Sequence, residues 1–164
     1  ARQDVEPAGD HPDEERGRGG FVEQRITVAF AALELLSWQR AVLEGSADPV
    51  KHENKKAAWR LRAMLKAAKI PISPIPAHLP ALKAFAKKEG HSDAPQAVAE
   101  VRHRLTHPKV LDDLYDREHL LTEAWWLTVR YLELLILHWV GYTGGVVDRT
   151  KRGWPQVDTV PWAP

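Results

Sequence analysis

The segment with the clearest chemical content is VAEVRHRLTHPKV, residues 98–110, where Arg102, His103 and His107 fall within one short stretch. The chain contains no cysteine, so chemistry has to come from imidazole, guanidinium, carboxylate or hydroxyl groups, not from a thiolate or a cysteine-bound metal. Val98, Val101 and Leu105 form the apolar stripe of a helix over these residues. With Val101 set at zero and about 100° per residue, His103 falls near roughly 200° and His107 near roughly 240°, off the core side, with Arg102 on the flank. An imidazole titrating near neutrality moves a proton in either direction, and a guanidinium donates paired hydrogen bonds to phosphate oxygens. RNA cleavage by its own 2′-hydroxyl needs these groups: a proton leaves the 2′-oxygen, charge on the phosphoryl oxygens is stabilised, and the 5′-oxygen departs protonated. Arg102 and His107 lie roughly 140° apart on the wheel, so one copy of the helix holds an incomplete set.

Two other readings compete for the same residues. A solvated polar face with no chemistry is the plain one. The spacing of His103 and His107, i and i+4, is also that of two imidazoles sharing a metal. No Glu lies between them to act as base, and Arg102 and Arg104 would repel a cation; no metal or cofactor is therefore expected.

The rest of the chain reads as helices able to position this segment. Residues 21–44 carry Ile26, Ala29, Phe30, Leu33 and Leu36 at three- and four-residue steps, closed by Gly45. A second apolar line on that helix, Val28, Leu35 and Val42 with Trp38 beside it, suits a central position or a partner subunit. One helix is predicted over 50–69, with Pro49 near its first turn and a stripe of Ala57, Leu61, Met64, Leu65 and Ala68. Its other side holds Lys55, Lys56, Trp59, Arg62 and Lys66. Residues 70–80 are too rich in proline for helix or central strand. A short helix follows over 80–89, with Gly90 as its C-terminal glycine. Asp93 reads as the N-cap of the helix that ends at His107, with Pro95 in its first turn and Gln96 completing a capping box. After a loop over 109–116, a long apolar helix runs to about residue 140, and a glycine-broken tail over 142–164 closes the chain. The fold class is all-α, an antiparallel bundle of about five helices with an irregular C-terminal tail.

The formal net charge of +1 conceals a polarised chain. Residues 50–110 hold thirteen Lys or Arg against four acidic residues, whereas 1–20 and 111–135 are net acidic. A basic middle offers a surface to a polyanion. Residues 1–20 are polar and without periodicity, which reads as a disordered linker and suggests a domain cut from something longer, fused to an N-terminal sensor. The apolar run over 124–141 is interrupted by Arg130, Glu133 and His138, so it is expected to be a core helix of a cytoplasmic protein without a membrane span. Arg130 and Glu133 are expected to pair, and His138 to be buried and hydrogen-bonded.

The order Arg102, His103, His107 at the end of a helix, with Pro108 directly after, resembles the motif of the HEPN superfamily (higher eukaryotes and prokaryotes nucleotide-binding domains), including its Apea-like group. The resemblance covers roughly residues 21–141, and its motif fixes three positions. The second motif position is His103 where Asn is commoner, and Lys109 stands where the HEPN toxins paired with a nucleotidyltransferase carry Tyr. The resemblance implies a homodimer in which two copies build one composite site, and a metal-independent endoribonuclease, the effector of a prokaryotic defence or stress protein. His107 would act as general base or acid, Arg102 would stabilise the phosphorane, and His103 would position one of them. Lys55, Lys56, Trp59, Arg62, Lys66, Arg104 and Lys109 are the expected RNA contacts; Trp59 alternatively packs under a neighbouring helix while the lysines are merely solvated. Glu34 either orients a catalytic side chain or pairs with a basic neighbour. The competing function is a catalytically silent module that binds nucleotide or RNA, or dimerises a larger protein.

Overall fold

In the computed structural model the described residues are 21–45, 47–107, 114, 119–151, 153 and 157–164. The expected linker over 1–20, Lys109 and most of the loop after it lie outside them.

The five-position stripe read on the first helix is the stripe that the fold buries. Helix α1, Val22–Trp38, turns Ile26, Ala29, Phe30, Leu33 and Leu36 inward and continues as one π-helical turn, Gln39–Leu43. Its main neighbour is the long helix α6, Leu120–Trp139, which buries Leu120, Ala124, Leu127, Tyr131 and Leu134. Helix α5, Ala94–Thr106, packs on α1, α6 and the helix over Ala57–Ala67 through Ala97, Val98 and Val101. Each large aliphatic or aromatic side chain buried this way contributes roughly 1.5–3 kcal/mol.

Between residues 49 and 67 the chain forms two helices where one is predicted: α2, Pro49–Glu53, and α3, Ala57–Ala67. Asp48 caps α2, accepting from the Lys51 N–H at 2.8 Å. The break falls on Asn54, Lys55 and Lys56, which have no apolar group to bury; Lys56 is extended, and the apolar stripe restarts at Ala57. Helix α4, Pro80–Lys88, closes as expected: Gly90 adopts φ +69°, and the His91 N–H reaches back to the Ala86 carbonyl at 2.8 Å. Its amino end is satisfied from another element, because the Leu82 N–H donates to the buried Glu123 carboxylate at 2.8 Å.

Asp93 caps α5 by accepting from the Gln96 N–H at 3.0 Å. The return half of the capping box goes to Ser92, whose hydroxyl lies 3.2 Å from the Gln96 side-chain oxygen. The tail forms a two-stranded antiparallel ribbon, β1 (Gly145–Val147) and β2 (Val157–Thr159), in the register Val146 opposite Asp158. Arg130 ties it to α6 by donating to the Val147 carbonyl at 3.0 Å, and Glu133 pairs with Arg149 at 3.3 Å. The expected Arg130–Glu133 pair is therefore replaced by two contacts to the tail. His138 is half-buried, edge-on to Trp162 at 5.0 Å between ring centroids, where full burial was expected.

Among the described residues, one helical stretch, Val22–Leu43, is long and apolar enough to cross a membrane. In the fold one of its faces is the buried seam against α6 and α5, and it carries Glu34 and Arg40.

Candidate functional site

One side of α5 from Gln96 to His103, the start of α3 with Asn54 to Lys56 before it, and Glu34 of α1 line a cleft of about 820 Å³. Arg102 enters it from α5 because Val98 and Val101 fix the opposite side of that helix in the core. The guanidinium lies over the Phe30 ring, 5.5 Å from its centroid, and its Nη2 donates to Glu34 Oε2 at 3.0 Å. The other oxygen of Glu34 accepts from Arg60 Nη2 of α3 at 2.7 Å. One carboxylate on α1 therefore holds two guanidinium groups, one per oxygen, and fixes Arg102 at the cleft wall. All three side chains are only 19 to 27% exposed, so these charge-assisted bonds are better shielded from water than a surface pair. Burying an orphan donor costs free energy, and the Nε groups of Arg60 and Arg102 are buried without a partner. The packing therefore gives up two donors to keep this arrangement.

His103 lines the same cleft and is exposed. His107 is also exposed, but it is not a helical residue: α5 ends at Thr106, and His107 takes φ −129°, ψ 71° as the C-cap. Its amide still donates to the His103 carbonyl at 2.9 Å. The two imidazoles lie side by side, 4.9 Å between centroids with planes at 46°. Thr106 locks the turn beneath them by donating to the Arg102 and His103 carbonyls at 3.1 and 3.2 Å.

Lys55, Lys56 and Trp59 form the far wall of the cleft, with the Lys55 ammonium 5.1 Å from the Trp59 ring centroid. Trp59 is 46% exposed, so it does not pack under a neighbouring helix. Lys55, Lys56, an exposed indole, Arg102 and His103 thus line one cleft, and His107 follows at the end of α5 beside His103.

Residues 15–158 match the model of the YopA C-terminal domain. The chain belongs to the YopA C-terminal domain family. It is similar to the SPbeta prophage-derived uncharacterized protein YopA of Bacillus subtilis (strain 168), 32% identical over 137 residues that make up 80% of this chain and 29% of that protein. The chain therefore spans less than a third of the length of that relative. No solved structure matches it.

Within this YopA C-terminal domain, three of the expected RNA contacts are paired with carboxylates or lie off the cleft. Arg62 borders the cleft but is committed to Asp93, with Nε at 2.5 Å and Nη2 at 3.0 Å from the carboxylate oxygens. Burial pushes the Asp93 carboxyl up, but the hydrogen bonds from Arg62 and the Gln96 N–H, with the Arg62 and Lys66 charges, outweigh it and hold the group below the ordinary carboxylate value. Arg62 is thus a strut fixing α3 to the start of α5. Arg104 points to the other flank of α5, paired with Glu100 at 2.8 Å and with Glu89, its guanidinium over Phe85. Lys66 is exposed on α3 and does not line the cleft.

Arg60 is a charged cleft residue that the sequence does not single out. Its only sequence signal is a cation next to the core residue Leu61, and its partner Glu34 lies on a different helix.

Proposed function

We propose that this domain is a HEPN-type endoribonuclease that cleaves single-stranded RNA through the substrate's own 2′-hydroxyl, without a metal. The observation that carries the reading is the adjacency of the His103 and His107 imidazoles, on the same end of α5 as an Arg102 held by Glu34. One imidazole takes the 2′-hydroxyl proton while the 2′-oxygen bonds to phosphorus. The bond to the 5′-oxygen breaks, and the protonated partner imidazole gives that oxygen a proton, leaving a 2′,3′-cyclic phosphate and a 5′-hydroxyl. Arg102 stabilises the charge on the non-bridging oxygens as the phosphorane forms. Lys55 and Lys56 hold the backbone on either side of the scissile phosphate.

One copy leaves its imidazoles exposed at the end of a helix. The reading therefore includes a homodimer that pairs two such turns across a two-fold axis. The apolar line of α1 supports it: Val28 and Leu35 are each 70% exposed on the side of the helix away from the core. A cytoplasmic effector domain of a larger prokaryotic defence protein is the matching context. The Bacillus subtilis relative is named as prophage-derived, and the matched region is 29% of it.

Labelled single-stranded RNA incubated with the purified chain in excess chelator tests the proposal. Wild type is expected to cut, and His107→Ala and Arg102→Ala are not; equal cutting by all three would refute it. Binding without cutting by wild type would identify a silent RNA-binding module instead.

A further inference from the structure

On the other side of Trp59 and Arg60 lies a second cavity, of about 340 Å³, between α1, its π-helical turn, α3 and α6. Its floor is polar. Ser37 and His52 are 2 and 6% exposed, and the Ser37 hydroxyl lies 3.2 Å from His52 Nε2. Burial, reinforced by the nearby Arg60 cation, pushes the His52 imidazole below its ordinary value, so the floor presents a neutral donor and acceptor pair. The walls are mostly apolar and include Trp59, Trp139 and Met64, with the Arg40 guanidinium over the Trp139 ring at 5.5 Å and the Lys55 ammonium over the Trp59 ring at 5.1 Å. Arg40, from the π-helical turn, and Arg60 stand in the lining. Single π-turns inside α-helices recur at functional sites.

We propose that this cavity binds a nucleobase, stacked against the tryptophans and read at its polar edge by Ser37 and His52. Two tryptophans in the lining favour a flat ring over an aliphatic chain. A buried hydroxyl and imidazole facing a cavity select a ligand with ring donors and acceptors over a hydrocarbon. Trp59 and Arg60 border both this cavity and the basic cleft, so a base seated here places its own phosphate toward Arg60, Lys55 and Lys56. The link to the cleft rests on the reading of that cleft as an RNA track, whereas occupancy by a base does not. The base belongs either to a free nucleotide or to an RNA strand.

Indole NMR of the whole chain, with signals assigned through Trp59→Phe and Trp139→Phe, tests the site. The titrants are the four 5′-ribonucleoside monophosphates, ribose 5-phosphate and short single-stranded oligoribonucleotides. The Trp59 and Trp139 signals are expected to shift with at least one monophosphate and not with ribose 5-phosphate. Ala63→Leu fills the cavity from an exposed position on α3 and is expected to weaken that binding about tenfold or more with an unchanged melting transition. Ser37→Ala is expected to change which base binds best. An equal response to oligoribonucleotides assigns the base to RNA, and a response to monophosphates alone assigns it to a free nucleotide. No shift with any monophosphate, an equal shift with ribose 5-phosphate, or unaltered binding by Ala63→Leu would overturn the site. A chain that cuts no RNA but passes this titration loses the ribonuclease reading and keeps the nucleobase site; the reverse result separates them the other way.

Discussion

His103 and His107 hold their imidazole centroids 4.9 Å apart at the carboxyl end of α5, one on the last helical turn and one on the residue that leaves it. In the proposed mechanism these two rings act as the acid and the base on one scissile phosphate at their exposed edge. Replacing either by Ala is expected to lower cleavage by about 10²–10⁴-fold. The double variant should be little worse than the weaker single, because residues acting as a unit are not additive. Initial rates on one RNA substrate for the four proteins check this.

Glu34 accepts from Arg102 at 3.0 Å, and in the proposed mechanism it positions that side chain without touching substrate. Glu34→Gln removes the charge that both Arg102 and Arg60 pair with, so Arg102 is expected to swing from the cleft wall. The rate constant at saturating RNA should fall about tenfold or more with little change in RNA affinity, since the interaction lost belongs to the transition state. Glu34→Asp, which keeps the charge, should recover part of the rate. A melting curve of each variant separates this from unfolding.

Among the cationic side chains, salt dependence should sort tracks from struts. Lys55→Glu and Lys56→Glu are expected to weaken RNA binding and to reduce the slope of log affinity against log salt by about 0.7 per lost single-strand phosphate contact. Arg62→Gln should leave that slope unchanged and cost stability of about 1–3 kcal/mol, because it strips Asp93 of a two-point partner. Titrations at three salt concentrations beside melting curves distinguish the two classes.

The fold itself should weaken in mild acid through His52. Its imidazole titrates below the ordinary value of 6.5 when folded, so the unfolded chain binds the proton more readily. Stability from this group is complete above pH 6.5 and is lost as the pH falls through the folded-state value. His52→Gln should flatten the melting temperature between neutral pH and mild acid. Melting temperatures of both proteins across that window are the measurement.

What the sequence made legible is what local periodicity controls. The α1 stripe, the Asp93 cap, the Gly90 stop and the outward turn of His103 follow from spacing and cap chemistry, and each stands in the fold. The break after Glu53 was hidden because Asn and Lys are tolerated in a helix, and only the missing apolar partner ends it. The Arg60–Glu34–Arg102 bridge was hidden for another reason: its three members come from three helices, and nothing local marks which arginines meet a carboxylate. The same holds for Arg62 and Arg104, read as RNA contacts on composition alone and found paired with Asp93, Glu89 and Glu100. His52 sits between Lys51 and Glu53 in a polar run and carries no sign of burial; only its approach to Ser37 across the bundle gives it a role.

The most direct test of the central claim compares an all-ribose oligonucleotide with its 2′-O-methyl counterpart in excess chelator. Cleavage through the 2′-hydroxyl requires that the first be cut to fragments ending in 2′,3′-cyclic phosphate and 5′-hydroxyl, and that the second stay intact. Equal cutting of both strands, fragments carrying a 5′-phosphate, or no cutting of the all-ribose strand would contradict it.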